Sequence, residues 1–356
     1  MTLPRIVTRG ACIFITRRCF GRQFLLRPDP QVVALFTKAL SKAAAQHGVT
    51  ILGAVQMSNH YHVVVHDRHG RYPEFVGWMN AQLTRGVNRL RGREDTLWEA
   101  RQTSVVELGD AESVLEALAY VHLNPMAAGL VADPVTWPGL VTGPDDLEPE
   151  ADAGRGEGGR AGRLEIGVPP THARLSRGQF AALLRQRIQA RSRWIRTALE
   201  RHGRSFGTPE DALKVAWQAA PSRTLGQEHG RDEDALLEAF WRRVTELDEG
   251  PGPHGTGEAT VDEGEPFAGF EDDRDHAGAP GARARQSSIN PTVKAASAKR
   301  RAGMLTRLRD FREAYAKALQ KFRKCLKAVF PGGTWRLCRM LNLPSGPAPS
   351  PAWMLA

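Results

Sequence analysis

Two short stretches of this chain hold residues whose types and spacing could do chemistry. The first is His60-Tyr61-His62. Side chains along a β-strand alternate between faces, so residues two apart point the same way. His60 and His62 then present two imidazoles to one face, and Tyr61 faces the other. Two such imidazoles are a natural pair of metal ligands, although a His-x-His triplet also arises by chance. The second stretch is Tyr120-Val121-His122-Leu123-Asn124-Pro125. On a helix Tyr120 and Asn124 are four apart and share a face, which sets a phenol beside an amide oxygen. That oxygen is either a third ligand to the same metal or part of a helix C-cap, where asparagine is common. His122 falls on a different face and is not expected to be a ligand.

These residues need elements to position them. Residues 11–16 (ACIFIT) are a run of β-formers and read as a strand. Residues 29–48 start at a capping-type Asp29, continue with apolar residues at helical spacing and stop at Gly48. Residues 49–57 and 60–66 read as a hairpin turned at Ser58-Asn59. A second helix fits 73–90, with Pro73 in its first turn. Residues 103–108 are a strand, and a third helix runs from an Asp110 cap to Asn124, where Pro125 is expected to end it. The order is β-α-β-β-α-β-α. Its first six elements have the split β-α-β arrangement of ferredoxin-like domains: an α+β fold, with an antiparallel sheet and helices on one face. The seventh element is an added helix, and it carries Tyr120.

Taken together, QMSNHYHVVV (residues 56–65), LWEARQTSVVEL (97–108) and ALAYVHLNPMAAGLV (117–131) resemble the single-tyrosine HUH transposases, and within them the REP-associated tyrosine transposases. The likeness covers roughly residues 8–140. It implies His60 and His62 as metal ligands, Asn124 as the third ligand and Tyr120 as nucleophile. It implies a divalent metal, Mg²⁺ or Mn²⁺, and cleavage and rejoining of single-stranded or hairpin DNA through a 5′-phosphotyrosine. The added helix becomes the catalytic one. The chain departs from the family pattern at Ser58, where the family has Pro, and at Met126-Ala127-Ala128, where it has a basic residue. The second departure puts a DNA-backbone contact in doubt. The chemistry is coherent. His, His and Asn are neutral ligands, so the ion keeps its full charge as a Lewis acid. A phenol of pKa ~10 needs help to lose its proton.

The remaining tyrosines are Tyr61, Tyr72 and Tyr315. Tyr61 should face away from the histidines, Tyr72 reads as a surface residue before the second helix, and Tyr315 reads as helix packing. Arg17, Arg18, Arg22, Arg85, Arg89, Arg91, Arg93 and Arg101 read as a group lining a nucleic-acid groove, whereas Trp78 and Trp98 read as core.

Composition divides the chain into a catalytic unit (1–141), a linker (142–173), a helical basic region (174–247), a disordered linker (248–292) and a basic helical tail (293–356). From Lys294 to Arg339 fourteen Lys and Arg face two acids, Asp310 and Glu313, along an apolar stripe. Such a helix serves DNA, another helix or a membrane surface, and the rest of the chain favours DNA. The net charge of +10 points to a polyanionic partner. No apolar run reaches the ~18 residues of a membrane span, so none is expected. Cys12, Cys19, Cys325 and Cys338 form no CxxC pair, which argues against a structural zinc domain and for reduced thiols. The expected location is cytoplasmic and nucleoid-associated, and a homodimer is left open. The main alternative is a catalytically silent, sequence-specific nucleic-acid-binding module on the same fold.

Overall fold

Strands form where β-branched and aromatic residues alternate, and here they form one sheet. The structure, a computed structural model, describes residues 5–100, 103–147, 164–201, 203–220, 293–325 and 328–351. The elements of its first part are β1 (Ala11–Arg18), α1 (Pro30–His47), β2 (Thr50–Gln56), β3 (His60–Asp67), α2 (Tyr72–Arg91), β4 (Ser104–Leu108) and α3 (Ala111–Ala127). This is the expected order, with boundaries moved by one to three residues. There follow α4 (Arg177–Arg201), α5 (Pro209–Lys214), β5 (Val293–Lys294), α6 (Ala298–Cys325) and α7 (Arg336–Leu341).

The sheet runs β2-β3-β1-β4-β5. Four strands are antiparallel neighbours, but β5 lies parallel to β4, so the sheet is mixed and not wholly antiparallel. The fold is α+β. Register sets the two faces. Phe14, Thr16 and Arg18 of β1 stand opposite Val64, His62 and His60 of β3. Tyr61, on the other face, packs against Phe36 of α1 and donates its hydroxyl to Asn80 Oδ1 of α2. Thus α1 and α2 cover one face, while α3 packs on the other and carries α4 outside it. The approach of α3 to β2 is close: a Cβ on Gly53 would lie 2.7 Å from Leu118 Cδ2.

Local signals explain most helix ends. Gly48 and Gly92 take the left-handed conformation that closes α1 and α2. Asp110 caps α3 by accepting from Ser113 N at 2.8 Å. Asp29 holds the N-cap position of α1 without capping it, because its carboxylate is engaged by Arg27 and Arg91. Pro125 does not end α3. The helix runs through it to Ala127, since a proline so close to the C-terminus forfeits only one backbone bond. Leu130 N then donates to Pro125 O, and Gly129 turns the chain away.

The segment 142–173, expected as a linker, docks against the sheet at several points where it is described. Leu147, Leu164 and Ile166 are buried, Gly167 N donates to Ile51 O, and Thr142 N donates to Ala54 O. Isolated apolar side chains in a Gly- and Pro-rich stretch carry no periodicity to betray this. The stretch 248–290, expected to be disordered, lies outside the described residues. Among the described residues no helix is long and apolar enough to cross a membrane.

Candidate functional site

His60 and His62 come from β3, and both are 3% exposed. Their ring centroids are 4.8 Å apart, on the face that α3 covers. Tyr120, from the middle of α3, sets its ring 5.3 Å from His62, edge on. Phe14 of β1 stacks on His62 at 5.3 Å and meets Tyr120 at 5.9 Å, walling the site. Asn124, one turn beyond Tyr120, is 1% exposed. Its Oδ1 is buried and has no hydrogen-bond partner among the described residues. Asn124 is not the C-cap of α3, a position held by Ala128. His60, His62 and Tyr120 therefore meet at the interface between β3 and α3, and Asn124 is buried one turn farther along α3.

Hydrogen bonds hold the imidazoles. His60 Nδ1 donates to Asn59 Oδ1 at 2.7 Å, and His62 Nδ1 bonds Thr16 Oγ1 at 2.8 Å. Burial is the first cause that keeps both rings neutral. It pulls His62 down to about 3, helped by Arg18, and pulls His60 well below the usual histidine range, helped by His62, Arg18 and Arg22. Neutral imidazole is the form that binds metal. An unpaired buried amide oxygen costs ~1–3 kcal/mol, so Asn124 Oδ1 is a donor atom in need of an electrophile. Among the described residues no cluster of three or more His, Cys, Asp or Glu exists, so a metal site would rest on two imidazoles and this oxygen. The residues fit a divalent ion of mixed nitrogen and oxygen preference.

Other expectations divide. Tyr61 faces away from the histidines, as the alternation required. His122 is buried elsewhere, with Nδ1 against Thr142 O at 2.9 Å. Tyr72 is not a surface residue: it opens α2 and is 5% exposed, with Ile13, Val105 and Leu308 lining the same small cavity. Leu308 of α6 lines that cavity with it, and no local signal places α6 there. The arginines do not form one group. Arg18 shares the histidine face, whereas Arg17 lies over Trp98 on the other. Arg85 and Arg89 project into solvent from α2, on the far side of the sheet. Arg91 and Arg93 flank the Trp217 ring at 5.4 and 6.0 Å, and Arg101 lies outside the described residues.

Sequence reasoning missed how α3 is held. Glu116, fully buried one turn before Tyr120, is bound by Arg187 and Arg191 of α4, the latter at 3.0 Å. Arg187 also grips Glu112. An acid at every fourth position leading to Tyr120 was visible, but its partners are more than seventy residues away. The stretch 203–220 was also missed. It passes from Gly129, just beyond α3, to the loop beside Asn59: Gly207 N donates to Gly129 O and Phe24 N to Ala219 O.

No family model and no curated protein matches this chain. Among solved structures it is similar to a REP-associated tyrosine transposase bound to a REP hairpin, with a TM-score of 0.34 and 18% sequence identity, over 39% of this chain and 81% of that one.

Proposed function

We propose that this chain cuts and rejoins single-stranded DNA, hairpin or palindromic in form, with Tyr120 as nucleophile. One observation carries the reading: two neutral imidazoles and a phenol converge at the β3–α3 interface, one turn of α3 from a buried amide oxygen that has no partner among the described residues. The motif order noted in the sequence supports it. So does the strand order β4-β1-β3-β2, which we read as a ferredoxin-like core within a catalytic unit of residues 1–141.

With Nδ1 of each ring engaged by Asn59 and Thr16, Nε2 is the nitrogen that His60 and His62 would offer to Mg²⁺ or Mn²⁺, and Asn124 would add Oδ1. When bound, such an ion offsets the charge of the scissile phosphate and stabilises the departing 3′ oxygen. Tyr120 supplies the reacting atom. Its oxygen bonds to phosphorus, the bond from phosphorus to the 3′ oxygen breaks, and the phenolic proton ends on that oxygen as a hydroxyl. The phosphotyrosine conserves the bond energy, so the reverse attack rejoins DNA. Phe14 and the α3 backbone hold the phenol against His62. Arg18 and Arg22 add positive charge near His60, favourable to a phosphodiester.

The test is incubation of the full chain with hairpin DNA and Mn²⁺, followed by denaturing electrophoresis. A DNA-labelled band at the mass of the protein plus one DNA fragment is expected. Tight hairpin binding without that band would instead support the silent binding module.

A further inference from the structure

Helix α6 docks by its apolar side and turns its charge outward. Met304, Leu308 and Phe311 form a buried stripe at helical spacing. Met304 lies so close over Gly109 that a Cβ there would meet its sulfur at 2.4 Å. Arg307 donates to Glu107 Oε1 at 2.8 Å, and Glu107, itself buried, also accepts from Thr8. Farther along, Tyr315 and Phe322 pack on Phe330 at 5.6 and 6.1 Å. The helix is therefore fixed in rotation near both ends.

What faces outward is cationic. Lys299, Arg323 and Lys324 are exposed and Arg301 is half-buried, and none of them forms an ion pair with another described residue. The acids Asp310 and Glu313 are each taken by a neighbour on the same helix, Arg309 and Lys317. Of the large apolar side chains, Leu305 is the one exposed along α6 among the described residues. A helix that lies on lipid needs a free apolar face, and here that face is used by the fold. The remaining surface is a rod of 28 residues, about 42 Å long at ~1.5 Å per residue. Cations spread along the rod match a phosphodiester backbone, and the rod lacks the exposed aromatic rings that would stack on bases.

The position of the rod separates it from the site. Glu107, to which α6 is anchored, stands opposite Ile13 in the β1–β4 register, on the face covered by α1 and α2. His60, His62 and Tyr120 are on the other face, so DNA held at Tyr120 and DNA held by α6 are divided by the sheet. We propose that α6 is a second nucleic-acid surface, blind to sequence, that grips the phosphate backbone on the sheet face opposite His60, His62 and Tyr120. This does not depend on Tyr120 being a nucleophile.

The test uses the full chain, with Lys299→Gln, Arg301→Gln, Arg323→Gln and Lys324→Gln combined. Its binding to an oligothymidine of unrelated sequence is measured across a salt series. Each lost contact removes about 0.7 from the log–log salt slope on single strands, so the slope should flatten by up to about 3. Changing Lys299 and Lys324 to Arg, and Arg301 and Arg323 to Lys, should keep the wild-type slope. An unchanged slope in the Gln variant overturns the proposal. So does loss of binding to phosphatidylserine vesicles with binding to DNA intact, which would make lipid the partner. A flattened slope in a protein that forms no covalent DNA adduct leaves this inference standing and removes the cleavage reading.

Discussion

At the scale of the residue, the site makes two sharp demands. Tyr120→Phe removes one oxygen from a ring already packed against Phe14 and His62. Covalent adduct should vanish, while affinity for the hairpin should change less than about threefold, within the small range expected of a substitution that breaks no packing. Loss of both together would mean that the tyrosine binds and does not attack. Asn124 is the second demand. If its orphaned oxygen is a ligand, Mn²⁺ should raise the melting temperature of the wild-type protein, since a ligand that binds only the folded state stabilises it by about 2.7 kcal/mol at a hundredfold excess over Kd. Asn124→Ala should shrink that shift and His62→Ala should abolish it, both readable by calorimetry without any DNA. These residues were legible because their logic is local: period two in a strand for the histidines, period four in a helix for Tyr120 and Asn124. What the sequence could not reveal is that Asn124 Oδ1 lacks a partner among the described residues, because that depends on everything that fails to reach it.

At the scale of the element, the helix that carries Tyr120 is locked by charge. Replacing Arg187 and Arg191 together by Met strands Glu116 as a buried, unpaired carboxylate. Breaking a buried pair on one side costs about 3–5 kcal/mol, so the urea midpoint should fall steeply. Adding Glu116→Met should recover most of the loss, which a purely steric defect would not permit. Glu112→Gln, on a side chain 41% exposed, should cost little. Alkaline pH probes the packing of β1 and α2. Burial pushes the Cys12 thiol and the Tyr72 phenol each up to about 12, with Glu107 raising both further and Arg5 opposing the shift at Tyr72. A raised acid leaves stability intact below its unfolded pKa and removes it as pH climbs towards the folded one. Denaturation curves should therefore hold steady between pH 7 and 8 and weaken from about pH 8.5 upward, given unperturbed values of about 8.5 for thiol and 10 for phenol. Element order was readable from hydrophobic period. The passage of α3 through Pro125 and the salt bridges from α4 were not, because each is decided by tertiary contact.

At the scale of the whole molecule, part of the core comes from stretches whose composition argues against it. Leu147, Leu164 and Ile166 enter the core one at a time, and β5 is two residues long, below any pattern a sequence can display. Yet β5 covers the edge of β4, and α6 gives Glu107 its cation. Removal of residues 293–356 should leave an exposed strand edge that pairs with other chains, so the truncated protein should form larger species on gel filtration as concentration rises. The same strand sets a clock for biosynthesis. Lys294 pairs with Leu108 across 186 residues of chain. At about 5–20 residues per second a ribosome needs roughly 10–40 seconds to deliver it after β4 has emerged. For that interval the nascent sheet carries a bare edge beside every neighbour on the same message. Slowing translation between residues 221 and 292 with rare codons should lower soluble yield without altering one amino acid, whereas the same codons placed after residue 328 should leave yield unchanged.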